Sequence, residues 1–174
     1  LMTTNPFALF EAATTEHELI QFQEFVRNAG FTAFRMFIDG FRDRLKTYED
    51  AETGEIRRLL ETAKRLFPEP REFSPSWDRI WEEYEHIVTY KQTVLETIPE
   101  ADREGEWQIL LDNPYTNADL VCYPNLSFME GAYMYAYFRV DLKNNEYIRL
   151  QKIQNIIMAF GSERHETMEQ SKDR

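Results

Sequence analysis

Glu83 and His86 stand three residues apart in a helical pattern, a spacing that puts a carboxylate and an imidazole on one helix face. Di-metal carboxylate bundles build their centres from two Glu-x-x-His pairs and two further glutamates, because each metal needs a nitrogen and bridging carboxylates. This chain supplies one pair: His165 has Ser162 three residues before it, and the three histidines (His17, His86, His165) are far apart in sequence. Two chains would have to share the site across an interface. The plainer reading of Glu83 and His86 is a solvated, charged helix face.

The single cysteine, Cys122, excludes an intrachain disulfide and any cysteine-based zinc cluster. A nucleophilic thiol needs a base or a positive environment to lower its pKa. The surrounding stretch from Asp119 to Pro124 offers neither, so a packed, inert thiol is expected. Tyr133, Tyr135 and Tyr137 alternate within a run from Phe128 to Phe138 that is apolar or aromatic nearly all round. Their hydroxyls are expected to fan around the helix, with Glu130, Arg139 and Asp141 as the nearest partners for any that are buried. The run predicts a central core helix covered on several sides; the alternative is a helix that lines a pocket for a small ligand.

Charge narrows the classes of partner. The 20 Lys and Arg against 31 Asp and Glu leave a net −11, which argues against general affinity for nucleic-acid phosphates or anionic membrane. The first half carries a basic group of Arg35, Arg42, Arg57, Arg58, Lys64 and Arg65. Asp39, Asp43, Glu55 and Glu61 lie at helical pairing distance from these cations, so direct nucleic-acid binding is not expected. In the second half Glu82, Glu83, Glu85 and the acidic stretch 100–106 could face a basic partner, or mimic DNA phosphates toward a nucleic-acid-binding protein. Neither an uninterrupted span of roughly 20 apolar residues nor a signal-peptide pattern appears. Together with the lone thiol, this gives an expectation of a cytoplasmic protein without membrane contact.

The elements that must position these residues read as helices. Asn5-Pro6 pairs an N-cap with a proline whose missing N–H costs nothing in the first turn. Thr15 and Glu18 form a capping-box pattern before Leu19, Phe22 and Val26, and Gly30 is placed to end that helix. Phe34, Phe37, Ile38, Phe41 and Leu45 then recur at three- and four-residue steps, with Gly40 inside the run where a neighbouring helix can come close. A fourth pattern runs through Ile56, Leu59, Leu60, Ala63 and Leu66. Pro68, Pro70 and Pro75 mark a stiff connector over 68–75 between helical halves at 5–67 and 76–161. The longest pattern, Trp77 to Ile98, is followed by a short element at Trp107–Leu111, helix or strand. Irregular chain is expected over 115–126, then a capping box at Ser127 and Glu130 opening a helix through Leu142. A last helix is expected from Asn144 or Asn145 through Phe160, and a frayed polar tail over 162–174.

The expected fold is therefore all-α: a single compact bundle of about seven to nine helices in two halves joined at the proline-rich connector. No set of residues meets the joint demands of a catalytic site, and no cofactor is implied. Aromatics make up 14% of the chain, including 13 Phe and 9 Tyr, a surplus expected to exceed what one core can bury. The expected function is protein–protein binding, as an adaptor, regulator or inhibitor, with Trp77, Trp81 and Tyr84 as anchors beside Glu82 and Glu85. The alternative is a metal- or small-ligand-binding helical enzyme using Glu83 and His86, or a pocket around Tyr133–Tyr137. The Trp77–Ile98 stripe is also long enough to pair with its copy in a homodimer.

Overall fold

The fold was obtained as a computed structural model and is described for residues 5–113, 120–143, 145–154, 158 and 161. Helix dominates, at 66% of the described residues. Six α-helices lie among the described residues: α1 (Pro6–Ala12), α2 (Glu16–Ala29), α3 (Phe31–Thr47), α4 (Thr53–Leu66), α5 (Ile80–Thr97) and α6 (Phe128–Val140). They are joined by a small antiparallel sheet of β1 (Trp107–Asp112), β2 (Val121–Leu126) and β3 (Tyr147–Lys152), in the order β2-β1-β3. The expected bundle of seven to nine helices is thus corrected to six helices and a three-stranded sheet.

Local chemistry sets the helix boundaries. The Asn5 side chain accepts from the Phe7 N–H at 2.9 Å. Both capping boxes form, Thr15 with Glu18 and Ser127 with Glu130, and each satisfies backbone donors that a helix start leaves bare. Gly30 ends α2 at φ 83°, a left-handed region where glycine bears no Cβ penalty. At Gly40 a Cβ would overlap the Phe7 Cβ, so its absence lets α1 lie directly on α3. The long α5 starts at Ile80, not Trp77, because Pro75–Trp77 forms a separate 3-10 turn.

The sheet replaces two expected elements. Residues 121–126 form β2, where chain without regular structure was expected, and 147–152 form β3 in place of the first turns of the last helix. Tyr147–Lys152 alternates exposed and half-buried positions with the period of a strand. Asn145 has φ 69°, so it turns the chain and does not cap a helix. Between Tyr123 and Leu126 the register slips against β1, at Pro124 and at Asn125, whose φ is 63°. The slip falls on an edge strand, where a proline without an N–H and a bulge are tolerated. Ile156, Ile157, Phe160 and the 162–174 tail lie outside the described residues.

One apolar core runs through the molecule from Phe7 to Ala136 and takes in side chains from both sides of the 68–75 segment. The segment itself packs inward: Pro70 is buried and Phe73 stacks on Phe34 at 4.2 Å with parallel rings. Much of the aromatic content is absorbed here, while Phe25, Phe31, Tyr137 and Tyr147 stay exposed. Phe10, Phe34, Phe37, Phe41 and Phe67 are buried and meet one another edge-on or tilted, an arrangement aromatic quadrupoles favour.

Candidate functional site

Helix α6 holds the centre of the second half. One side rests on the sheet, with Phe128 against Trp107 at 5.3 Å and Phe138 stacked on Tyr123 at 5.2 Å. Gly131 admits Leu150 of β3, whose Cδ1 would stand only 2.9 Å from a Cβ at that position. Other faces pack on α5 and α3. A helix apolar nearly all round is covered on several sides, as here, but one stripe remains open. Met129, Tyr133, Met134, Tyr137 and Phe138 recur at helical steps along it, facing Arg42 and Lys46 one turn apart on α3. Between them lies an open groove of about 890 Å³.

The tyrosines do not fan out as expected. Tyr133 and Tyr137, four residues apart, stack at 6.0 Å on the groove side, while Tyr135 turns toward α5. There Arg139 lies 4.3 Å over the Tyr90 ring and donates to the Tyr135 hydroxyl at 3.4 Å. Tyr133 is 7% exposed, and burial pushes its hydroxyl up to about 12 despite Arg42 nearby. Tyr137 is 41% exposed at the groove mouth. The Lys46 ammonium lies 5.7 Å over the Tyr133 ring.

Arg42 also borders a second cleft, of about 600 Å³, formed where the start of α5 meets the end of α6. Glu83, His86, Trp77 and Asp141 share its wall. Burial raises the Glu83 carboxyl above its ordinary value, and Asp141 adds to the effect while Arg42 opposes it. Among the described residues no hydrogen bond or ion pair reaches that carboxylate. The His86 ring stacks on Tyr90 at 5.8 Å. No group of three or more His, Cys, Asp or Glu among the described residues is arranged to hold a metal, so Glu83 and His86 stay a pair.

The expected anchors lie elsewhere than expected. Trp81 and Tyr84 are core residues, 7% and 1% exposed. The Trp81 indole donates to the Phe67 carbonyl at 2.5 Å and the Tyr84 hydroxyl to the Ile38 carbonyl at 3.1 Å, so even their polar tips are satisfied inside the chain. Trp77 is half-buried, edge-on to Phe34 at 5.5 Å. Glu82 pairs with Arg79 at 3.1 Å and Glu85 with Lys64 at 3.3 Å, so local cations offset both carboxylates. The α5 stripe expected to pair with a second copy is buried against its own chain: Ile87, Val88, Val94 and Leu95 are core residues. Cys122, expected to be packed, is exposed on β2 with its thiol 3.6 Å from the Gln108 side-chain oxygen.

One lysine that the helical pattern places on the outward, charged face of α5 is buried instead. Lys91 of α5 is fully buried and donates to the carbonyls of Leu45 and Tyr48, each at 2.9 Å, and of Lys46 at 3.2 Å. These are orphan acceptors at the end of α3, the negative pole of that helix. The Tyr48 ring covers the ammonium at 3.9 Å. Burial, with Arg44 adding to it, pulls the ammonium down to about 7. Its role is to close a helix end, and it is sealed from solvent.

Comparison with family models, with curated protein sequences and with solved structures returns no match. No helix among the described residues is long and apolar enough to cross a membrane.

Proposed function

We propose that this protein acts by binding a partner protein, and that the groove between α3 and α6 is where the partner docks. The observation that carries the reading is the lining of that groove: exposed Tyr137 and half-buried Met129, Met134 and Phe138 on an otherwise well-covered core helix, with Leu126 of β2 beside them and the buried Tyr133 ring as floor. Methionine and tyrosine adapt to a partner's shape, and aromatic side chains dominate interface energetics. The groove is open along its length, which suits a segment of another chain better than a small molecule enclosed on most sides. Tyr137 at its mouth takes over the anchoring role first given to Trp81 and Tyr84.

The test is affinity capture from the native cell extract with three versions of the chain. Tyr137→Ala removes the groove anchor, whereas Phe25→Ala removes an equally exposed ring (39%) on α2. Partner recovery should fall with Tyr137→Ala and persist with Phe25→Ala. Equal recovery with both variants contradicts the assignment.

One observation favours a second reading, a small-ligand or metal-dependent enzyme at Glu83 and His86: the half-buried Glu83 carboxyl in the second cleft, without a hydrogen-bond or ion-pair partner among the described residues. Metal analysis after purification without chelator decides its metal form. Stoichiometric metal lost on His86→Ala would support it, and a metal-free wild type would remove it.

A further inference from the structure

Resting on that reading of the groove, we infer that the segment it receives is acidic: one or two carboxylates set beside apolar anchors, in a partner protein. The whole chain carries −11, so an acidic ligand is the opposite of what bulk charge suggests. Local charge decides the matter, because exposed charges more than about 8 Å away are largely screened at physiological salt.

The groove wall holds two cations, Arg42 and Lys46, and one carboxylate, Glu130. Glu130 is engaged, accepting from the Ser127 N–H at 2.8 Å as part of the capping box. The two cations are held only loosely by their own helix. Arg42 meets Asp39 at 3.4 Å and Lys46 meets Asp43 at 3.8 Å, and both carboxylates are exposed, at 51% and 77%. Pairs of this kind contribute about 0–1 kcal/mol, so an incoming carboxylate can displace them at little cost. A guanidinium offers a forked donor set to a carboxylate, and Lys46, already lying over Tyr133, fixes a second positive point one turn away. Tyr133, Met134, Tyr137 and Phe138 then receive the apolar side chains next to the acid. A basic segment would instead bring its cations against Arg42 and Lys46, a repulsion that discriminates between partners.

The test is selection from a random 12-residue peptide library on the full-length protein, with enriched peptides synthesised and measured against wild type and variants. The variants are Tyr137→Ala, Arg42→Gln/Lys46→Gln and Arg42→Glu/Lys46→Glu, the neutral pair serving if charge reversal disturbs folding. The expected result is enrichment of Asp or Glu beside Phe, Leu or Met. Binding should weaken on Tyr137→Ala, and by about tenfold or more on loss of the two cations. Peptides that need Tyr137 but are neutral or basic, or that ignore Arg42 and Lys46, overturn the acidic assignment and leave the groove standing. No peptide that distinguishes wild type from Tyr137→Ala overturns the groove itself, and this inference with it.

Discussion

Gly40 isolates the contact between α1 and α3 at one atom. On helix propensity alone, Gly40→Ala should stabilise α3 by about 1 kcal/mol. The new methyl would overlap the Phe7 Cβ, an atom fixed to the α1 backbone that cannot swing aside. The expected outcome is therefore destabilisation by about 1–3 kcal/mol, read by urea denaturation. A gain in stability would mean that α1 does not lie on α3 as described. The sequence alone suggested close approach at Gly40, since glycine in a good helical run needs a reason, but it could not say which neighbour was approaching.

Lys91 was illegible in the sequence for a different reason. Its three acceptors lie more than forty residues away along the chain, and a lysine in an amphipathic helix ordinarily points to water. Lys91→Met keeps the length and loses the three donated hydrogen bonds, at a cost of about 2–4 kcal/mol. The pH dependence has a definite sign. Lys91 titrates near 7 in the fold and near 10.4 in the unfolded chain, so between those values the unfolded state holds more protons. Wild-type stability should rise relative to Lys91→Met as the pH goes from about 7 to 10. A difference that falls over that window would contradict the burial described for the ammonium.

At the scale of elements, the helix starts were readable because caps act within a few residues: Asn5, Thr15 with Glu18, and Ser127 with Glu130 all bond their own first turn. The sheet was not, because a strand is defined by its partner. Ile109 pairs with Leu150 and with Tyr123, and nothing local to residue 150 announces that pairing. Ile148 and Ile153 also fit a helical pattern with the isoleucines that follow, and that longer pattern masked a six-residue alternation. The Ile153 N–H donates to the Glu106 carbonyl just before β1, so by strand alternation the Arg149 N–H faces β1 as well. Arg149→Pro removes that donor from the middle of β3 and should cost about 2–4 kcal/mol, lowering Tm by about 5 °C or more. An unchanged Tm would mean that β3 does not pair with β1. The groove was half legible. Residues 133 and 137 share a face by arithmetic, but the all-round apolarity of α6 hides which stripe its neighbours leave open.

For the whole molecule, the net −11 describes solubility better than recognition. Many surface charges are matched locally or across elements: Arg103 grips Asp50 with two 2.8 Å bonds, Arg27 meets Glu72 at 2.5 Å, and Arg65 meets Glu16 at 3.0 Å. The two halves expected on either side of the proline segment share one core, so chemical denaturation should give a single transition that coincides by fluorescence and far-UV dichroism. Two separated transitions would divide that core.

Site-specific photocrosslinking tests the central claim, recognition through the α3–α6 groove, most directly. Benzoylphenylalanine replaces Tyr137 at the groove mouth in one sample and Asn28, exposed on α2, in another. Both are irradiated in the native cell extract. A discrete protein adduct from position 137 that is absent from position 28, with the crosslinked peptide bearing Asp or Glu, is the predicted result. Adducts that are absent at 137, or the same from both positions, would contradict it.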